Sequence, residues 1–116
     1  MRIKVSGRHM DVSDALKDYI NEKAGKLDRF YDRIQSVEVI FDQEGPKLNC
    51  ELIATADHHQ TFVAKETHSD AFACLDAAIK DVERQVTRHK ERFRNRKHLT
   101  GPTDRDALGD AAASEG

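Results

Sequence analysis

Long apolar runs are missing from this 116-residue chain. No stretch approaches the ~20 consecutive apolar residues that a bilayer-spanning helix needs. The opening MRIKVSGRHM has no apolar core of the length a secretory leader carries. Cysteine is scarce as well. Cys50 and Cys74 stand far apart, each inside an apolar stretch, with no CxxC pair. That argues against a disulfide scaffold and for a reducing compartment, so the expected location is cytoplasmic, with no membrane partner. Aromatic residues are only 6% of the chain. Tyr19, Phe30 and Tyr31 are expected to cluster at the end of the first helix, too few for reading single-stranded bases by stacking. Glycine offers no phosphate cradle, because Gly7 stands alone with no loop of the required pattern after it. Among six histidines, His58–His59 could hold a metal weakly. No Cys or carboxylate stands at ligand spacing, so a surface turn is the better reading. The chain therefore reads as a non-enzyme with no cofactor, no metal and no small-molecule substrate.

What remains is 38% apolar and 34% charged sequence in which the apolar residues fall in periodic runs. The length suits one domain whose core needs neither disulfide nor metal. RIKVSGR (Arg2–Arg8) puts Ile3 and Val5 on one face and reads as a strand. Ser13 caps a first helix over Asp14–Arg29, with Leu16, Ile20, Ala24 and Leu27 as its apolar stripe. Gly25 inside that helix costs ~1 kcal/mol relative to Ala. Ile34–Gln43, Lys47–Ala56 and Thr61–Glu66 read as three strands joined by short links, hence an antiparallel meander. A second helix begins near Ser69, with Thr67 and Asp70 as a candidate capping box. Its stripe is Phe72, Leu75, Ile79, Val82, Val86, His89 and Phe93. The expected fold is α+β, a two-layer β-α-β-β-β-α sandwich with both helices on one face of a four-stranded sheet. The first strand is expected to pair through the helix crossover. Residues 1–99 make the domain, and residues 100–116, small, polar and acidic, read as a disordered tail.

Charge is segregated along this chain. The total is −2, yet residues 1–79 sum to −4, residues 80–97 to +5 and residues 98–116 to −3. One cationic surface meeting a polyanion accounts for that; a merely solvated helix face is the plain alternative. Lys80, Arg84, Arg88 and Arg92 recur every four residues, so each advances ~40° around the helix and the set forms one inclined ridge. Lys90 joins them nearer the distal end, with Arg94, Arg96 and Lys97. That half of the helix is expected to project past the sheet. On the first helix Lys23, Lys26 and Arg29 add to the cations. Lys23 lies within the apolar stripe by angle and is expected to snorkel along the sheet edge; Lys26 and Arg29 could instead be plainly solvated or pair with Glu22 and Asp28. Cations fixed on a rigid helix suit the phosphates of folded RNA.

Two stretches, SGRHMDVSDALKDYINEKAGKLDRF and SDAFACLDAAIKDVERQVTRHKERF, resemble the ribosome hibernation promoting factor family, also called ribosome-associated inhibitor or sigma-54 modulation protein. The resemblance rests on Gly7 to Ser13 at the entry to helix 1, Glu22 to Leu27 within it, Asp70 to Asp76, and Val82-Glu83-Arg84-Gln85-Val86. It spans roughly residues 1–97. Lys80 then Asp81 inverts the family's usual Asp then Lys, which shifts one cation by ~100° around the helix. The chain resembles the family's short form. The resemblance implies binding to the small ribosomal subunit and its 16S rRNA, in the cleft over the messenger and transfer RNA sites. It implies inhibition of translation on idle ribosomes in stress or stationary phase by occlusion, with Lys23, Lys26, Arg29, Lys80, Arg84, Arg88, Lys90 and Arg92 facing rRNA. The protein is expected to be a monomer off the ribosome. A general double-stranded RNA-binding module is the alternative.

Overall fold

The computed structural model describes the backbone of residues 1–98 and the side chains of residues 1–92; the proposed tail, residues 100–116, lies outside them. The elements are β1 (Arg2–Arg8), α1 (Asp14–Phe30), β2 (Ile34–Glu44), β3 (Lys47–Ala56), a three-residue 3-10 turn (Asp57–His59), β4 (Thr61–His68) and α2 (Ala71–His98). Met1–Val86 forms one compact unit and a second begins at Thr87.

The sheet order is β1-β2-β3-β4. β1 runs parallel to β2, as a helical crossover requires, while β2, β3 and β4 are antiparallel. Register puts Val39 beside Leu52 and Leu52 beside Ala64, with Val37, Ala54 and Phe62 as the next row and Phe41 beside Cys50. All of these are buried, while their alternates Glu38, Ile40, Glu51, Ile53, Val63 and Lys65 are at least partly exposed. The period-2 pattern therefore gives the sheet one buried face, and both helices cover it. Leu16, Ile20, Ala24 and Leu27 of α1 and Cys74, Leu75, Ala78, Ile79, Val82 and Val86 of α2 are all buried, and all but Ala24 belong to one core cluster with the inward strand residues.

One irregularity keeps that face continuous. Ile34 and Val37 are an odd number of residues apart, yet both are buried. The register shifts between Ile34 and Ser36, so Gln35 is the extra residue of a β-bulge. Its amide reaches Asp57 Oδ1 at 2.8 Å, where Arg33 Nη1 also approaches Oδ2 at 3.4 Å. The β2–β3 connection is a two-residue turn in which Gly45 sits at φ 60° ahead of Pro46, the positive-φ first position that a tight hairpin demands.

Helix starts follow local chemistry. Ser13 Oγ accepts from Leu16 N–H at 3.1 Å. At α2 the capping box from Thr67 does not form. Asp70 caps alone, its carboxylate accepting from Phe72 and Ala73 N–H, both at 3.3 Å. Thr67 still belongs to β4 and donates across the sheet to Asn49 Oδ1 at 2.7 Å. The stripe of α2 also differs from the expectation. Phe72 is 38% exposed, and Cys74 and Ala78 supply the buried contacts one would assign to it.

Gly7 and Gly25 make opposite demands. A Cβ on Gly25 would meet nothing within 4 Å, whereas one on Gly7 would lie 2.7 Å from the Met10 carbonyl oxygen and 3.1 Å from Val12 Cγ2. Gly25→Ala should therefore raise stability by about 1 kcal/mol through helix propensity. Gly7→Ala should lower it by about 1–3 kcal/mol through overpacking. Urea midpoints of the two variants check both signs.

Candidate nucleic-acid interface

The helix pair carries the cations singled out in the sequence. On α1, Lys26 and Arg29 are exposed, outside the buried stripe. Neither pairs with Glu22 or Asp28, and among the described residues neither has a salt bridge. Lys23 is half-buried but does not follow the sheet edge. Its Nζ points into the seam between the helices, 3.8 Å from Asp76 Oδ1 on α2 and 5.3 Å from the centroid of the Tyr19 ring. The reason is packing: α1 and α2 lie side by side on the sheet, so that flank of α1 meets α2 rather than solvent at the sheet border.

Asp76 is the centre of the seam. Its Oδ1 also accepts the Tyr19 hydroxyl at 2.7 Å. That bond, made to a carboxylate, holds the Tyr19 phenol above its ordinary value of 10.0. The Tyr19 ring meets Phe72 edge-on, with centroids 5.1 Å apart and planes at 73°. Tyr19 does not join Phe30 and Tyr31 at the end of α1. Tyr19 lies about 17 Å along the axis from Phe30 at 1.5 Å per residue, and Tyr31 turns to Phe62 of β4 with centroids 6.3 Å apart.

On α2, Lys80 is exposed and has no salt bridge among the described residues. Arg84 is exposed as well, but its Nη2 lies 3.6 Å from Asp81 Oδ1. Asp81 also accepts from Gln85 Nε2 at 3.3 Å, and that amide in turn reaches the Val63 carbonyl of β4 at 2.8 Å. In the unit that begins at Thr87, Lys90 and Arg92 are exposed and Arg88 is half-buried rather than fully exposed, as is His89. The side chains of Phe93, Arg94, Arg96 and Lys97 lie outside the described residues.

The remaining candidates are the two cysteines and the His58–His59 turn. Cys50 and Cys74 are free and fully buried. Cys74 Sγ faces the carbonyls of Glu66 at 3.4 Å and Leu48 at 3.7 Å. Burial pushes both thiols up, above the range where a thiolate forms near neutral pH. His58 and His59 form the turn between β3 and β4, both at φ 60°. Among the described residues no group of three or more His, Cys, Asp or Glu could hold a metal ion, and no helix is long and apolar enough to cross a membrane.

Residues 3–94 match the family model described as sigma 54 modulation protein / S30EA ribosomal protein. The chain belongs to that family. Among relatives of this sigma 54 modulation / S30EA chain, a ribosome hibernation promoting factor from Azotobacter vinelandii is 36% identical over 104 residues, covering 90% of this chain and 96% of that protein. One of the same name from Escherichia coli is 26% identical over 99 residues, covering 81% and 98%. In structure the chain resembles a ribosomal subunit interface protein from Coxiella burnetii, with a TM-score of 0.73 at 22% identity over 78% of this chain and 99% of that one. The N-terminal domain of Protein Y from Thermus thermophilus gives a TM-score of 0.69 at 30% identity over 77% and 99%. The family match takes in α1, α2 as far as residue 94 and nearly all of the sheet, so the Lys23–Asp76 seam and the cations from Lys26 to Arg92 lie within it. Sequence reading found those cations but missed Asp76 as a partner of Lys23. Asp81–Arg84 has a local signal, since residues three apart share a helix face. Asp76–Lys23 has none, because the two meet only after the helices dock.

Proposed function

We propose that this protein is a ribosome hibernation factor that binds the small ribosomal subunit through its helix pair and inhibits translation by occlusion. In this reading Lys26, Arg29, Lys80, Arg84, Arg88, Lys90 and Arg92 contact 16S rRNA phosphates. The protein occupies the cleft over the messenger and transfer RNA sites, on ribosomes idled by stress or stationary phase. No bond is made or broken; the effect is occupancy. The observation that carries the reading is the set of exposed cations on the helices of a chain whose net charge is −2. Phosphates reward fixed cations through counterion release, while the near-neutral total limits indiscriminate attraction to RNA. Membership of a family whose members include ribosome hibernation promoting factors supports the choice of the ribosome as the source of those phosphates.

Sucrose-gradient sedimentation with separated subunits and with naked duplex RNA tests it. The expected result is retention on small subunits, release as salt rises, and weak retention on the duplex. Equal retention on both would overturn the ribosome reading in favour of a general double-stranded RNA-binding module.

A further inference from the structure

The cations of the helix pair are not equivalent. Among the described residues Lys26, Arg29 and Lys80 have no salt bridge, while Lys23 and Arg84 are each held by an aspartate of α2. The Arg84 pair is a local one, three residues apart on one exposed helix face. The Lys23 pair joins two helices, and its carboxylate is itself fixed. Asp76 Oδ1 receives the Tyr19 hydroxyl at 2.7 Å, Tyr19 is braced edge-on by Phe72, and Lys23 Nζ lies 3.8 Å from the same oxygen and 5.3 Å from the Tyr19 ring centroid. Lys80 stands four residues beyond Asp76 on the same helix and makes no salt bridge with it. Among the described residues Asp76 thus has a salt bridge with Lys23 alone, and both side chains keep access to solvent, at 26% for Lys23 and 41% for Asp76.

We propose that Asp76 is a specificity-determining residue that holds the Lys23 ammonium back from RNA phosphate and yields it only where a folded rRNA surface places a phosphate in the seam. The inference rests on the reading that the helix pair faces RNA. A phosphate drifting over the seam meets a compensated pair instead of a bare cation. A regular duplex, free to settle on Lys26, Arg29 and Lys80, gains nothing from Lys23. A phosphate held at the seam by a rigid groove can draw the ammonium across, because Nζ sits on a flexible stem and its present contact is long. Asp76 therefore lowers affinity for generic RNA more than for the matched surface, and discrimination is a difference of that kind.

Asp76→Asn tests this, since the amide oxygen still accepts from Tyr19 while the charge is gone. Binding is measured to a short mixed-sequence RNA duplex and to purified small subunits across a salt series. The variant should bind the duplex about threefold to tenfold more tightly at physiological salt. Its log–log salt slope should be steeper by about 0.9, the increment for one added phosphate contact. Affinity for small subunits should change less, so the ratio falls. Adding Lys23→Met, which keeps the apolar stem, should remove both gains. An unchanged duplex affinity and slope in Asp76→Asn would overturn the proposal. So would a gain that survives in the Lys23→Met background, because Asp76 would then act through its own repulsion only. A variant that melts early and binds both RNAs less well would make Asp76 purely structural, and the proposal would fall in that case too. If wild-type protein fails to sediment with small subunits while the duplex results hold, the ribosome reading falls and with it the preference for rRNA, while the restraint of Lys23 by Asp76 stands.

Discussion

Arg84→Glu combined with Arg88→Gln is expected to weaken binding to small ribosomal subunits by about 2–4 kcal/mol, roughly 30-fold to 1000-fold. Two phosphate contacts are lost, and the new carboxylate at position 84 repels the phosphate it replaces. Reversal is reserved for Arg84, which is 57% exposed. Arg88 is half-buried, so its long stem contributes packing and glutamine preserves part of it. Counterion release predicts that the log–log salt slope flattens by about 2 units. The fold should survive: losing the Asp81 pair and placing a like charge three residues away costs about 0.5 kcal/mol on a helix surface. Filter binding across a salt series, beside a melting curve, checks both halves. An intact fold with unchanged affinity would remove these two residues from the interface.

Two neighbouring truncations in β3 should differ several-fold in cost. Leu52 is fully buried between Val39 and Ala64 on the covered face. Leu52→Ala should cost about 3–5 kcal/mol, from lost burial plus the cavity left behind. A domain of this size has about 5–15 kcal/mol in total, so the variant should sit near the edge of folding and lose RNA binding with its scaffold. Ile53, one residue on, projects from the opposite face between Glu38 and Val63 and is half-buried. Ile53→Ala should cost about 1 kcal/mol or less. Chemical denaturation of the two variants measures the asymmetry of the sheet directly. Equal costs would mean that the outer face is covered in solution.

The elements legible from the residues alone are those governed by local period. β1 and β3 begin and end where alternation and turn residues place them, and α1 starts at the residue after its Ser13 cap. Where the local signal and the tertiary environment disagree, sequence reading fails in understandable ways. Phe72 is the largest apolar residue of the first turn of α2, and its size alone assigns it to the core. At a helix start, however, the core-facing positions fall to the smaller Cys74, Leu75 and Ala78, which pass close to the sheet, and Phe72 meets Tyr19 in the seam. The bulge at Gln35 is invisible to a strict period of two. Only the register with β3 shows why Ile34 and Val37 can share a face. The candidate cations are readable because a charge excess needs no tertiary structure to be noticed. Their pairing is not, since Lys23 and Asp76 are 53 positions apart in sequence and 3.8 Å apart in space.

β4 is an outer strand, and such a strand ordinarily offers its unpaired backbone groups to any passing chain. Here the Gln85 amide already occupies the Val63 carbonyl near the start of β4. A strand arriving from another copy would have to displace that bond before it could extend the sheet, at about 1 kcal/mol, and would meet exposed Lys65 two residues on. The helix thus guards the sheet against growth by addition at that border. A single glutamine on the flank of α2 that faces β4 helps to close that border of the sheet.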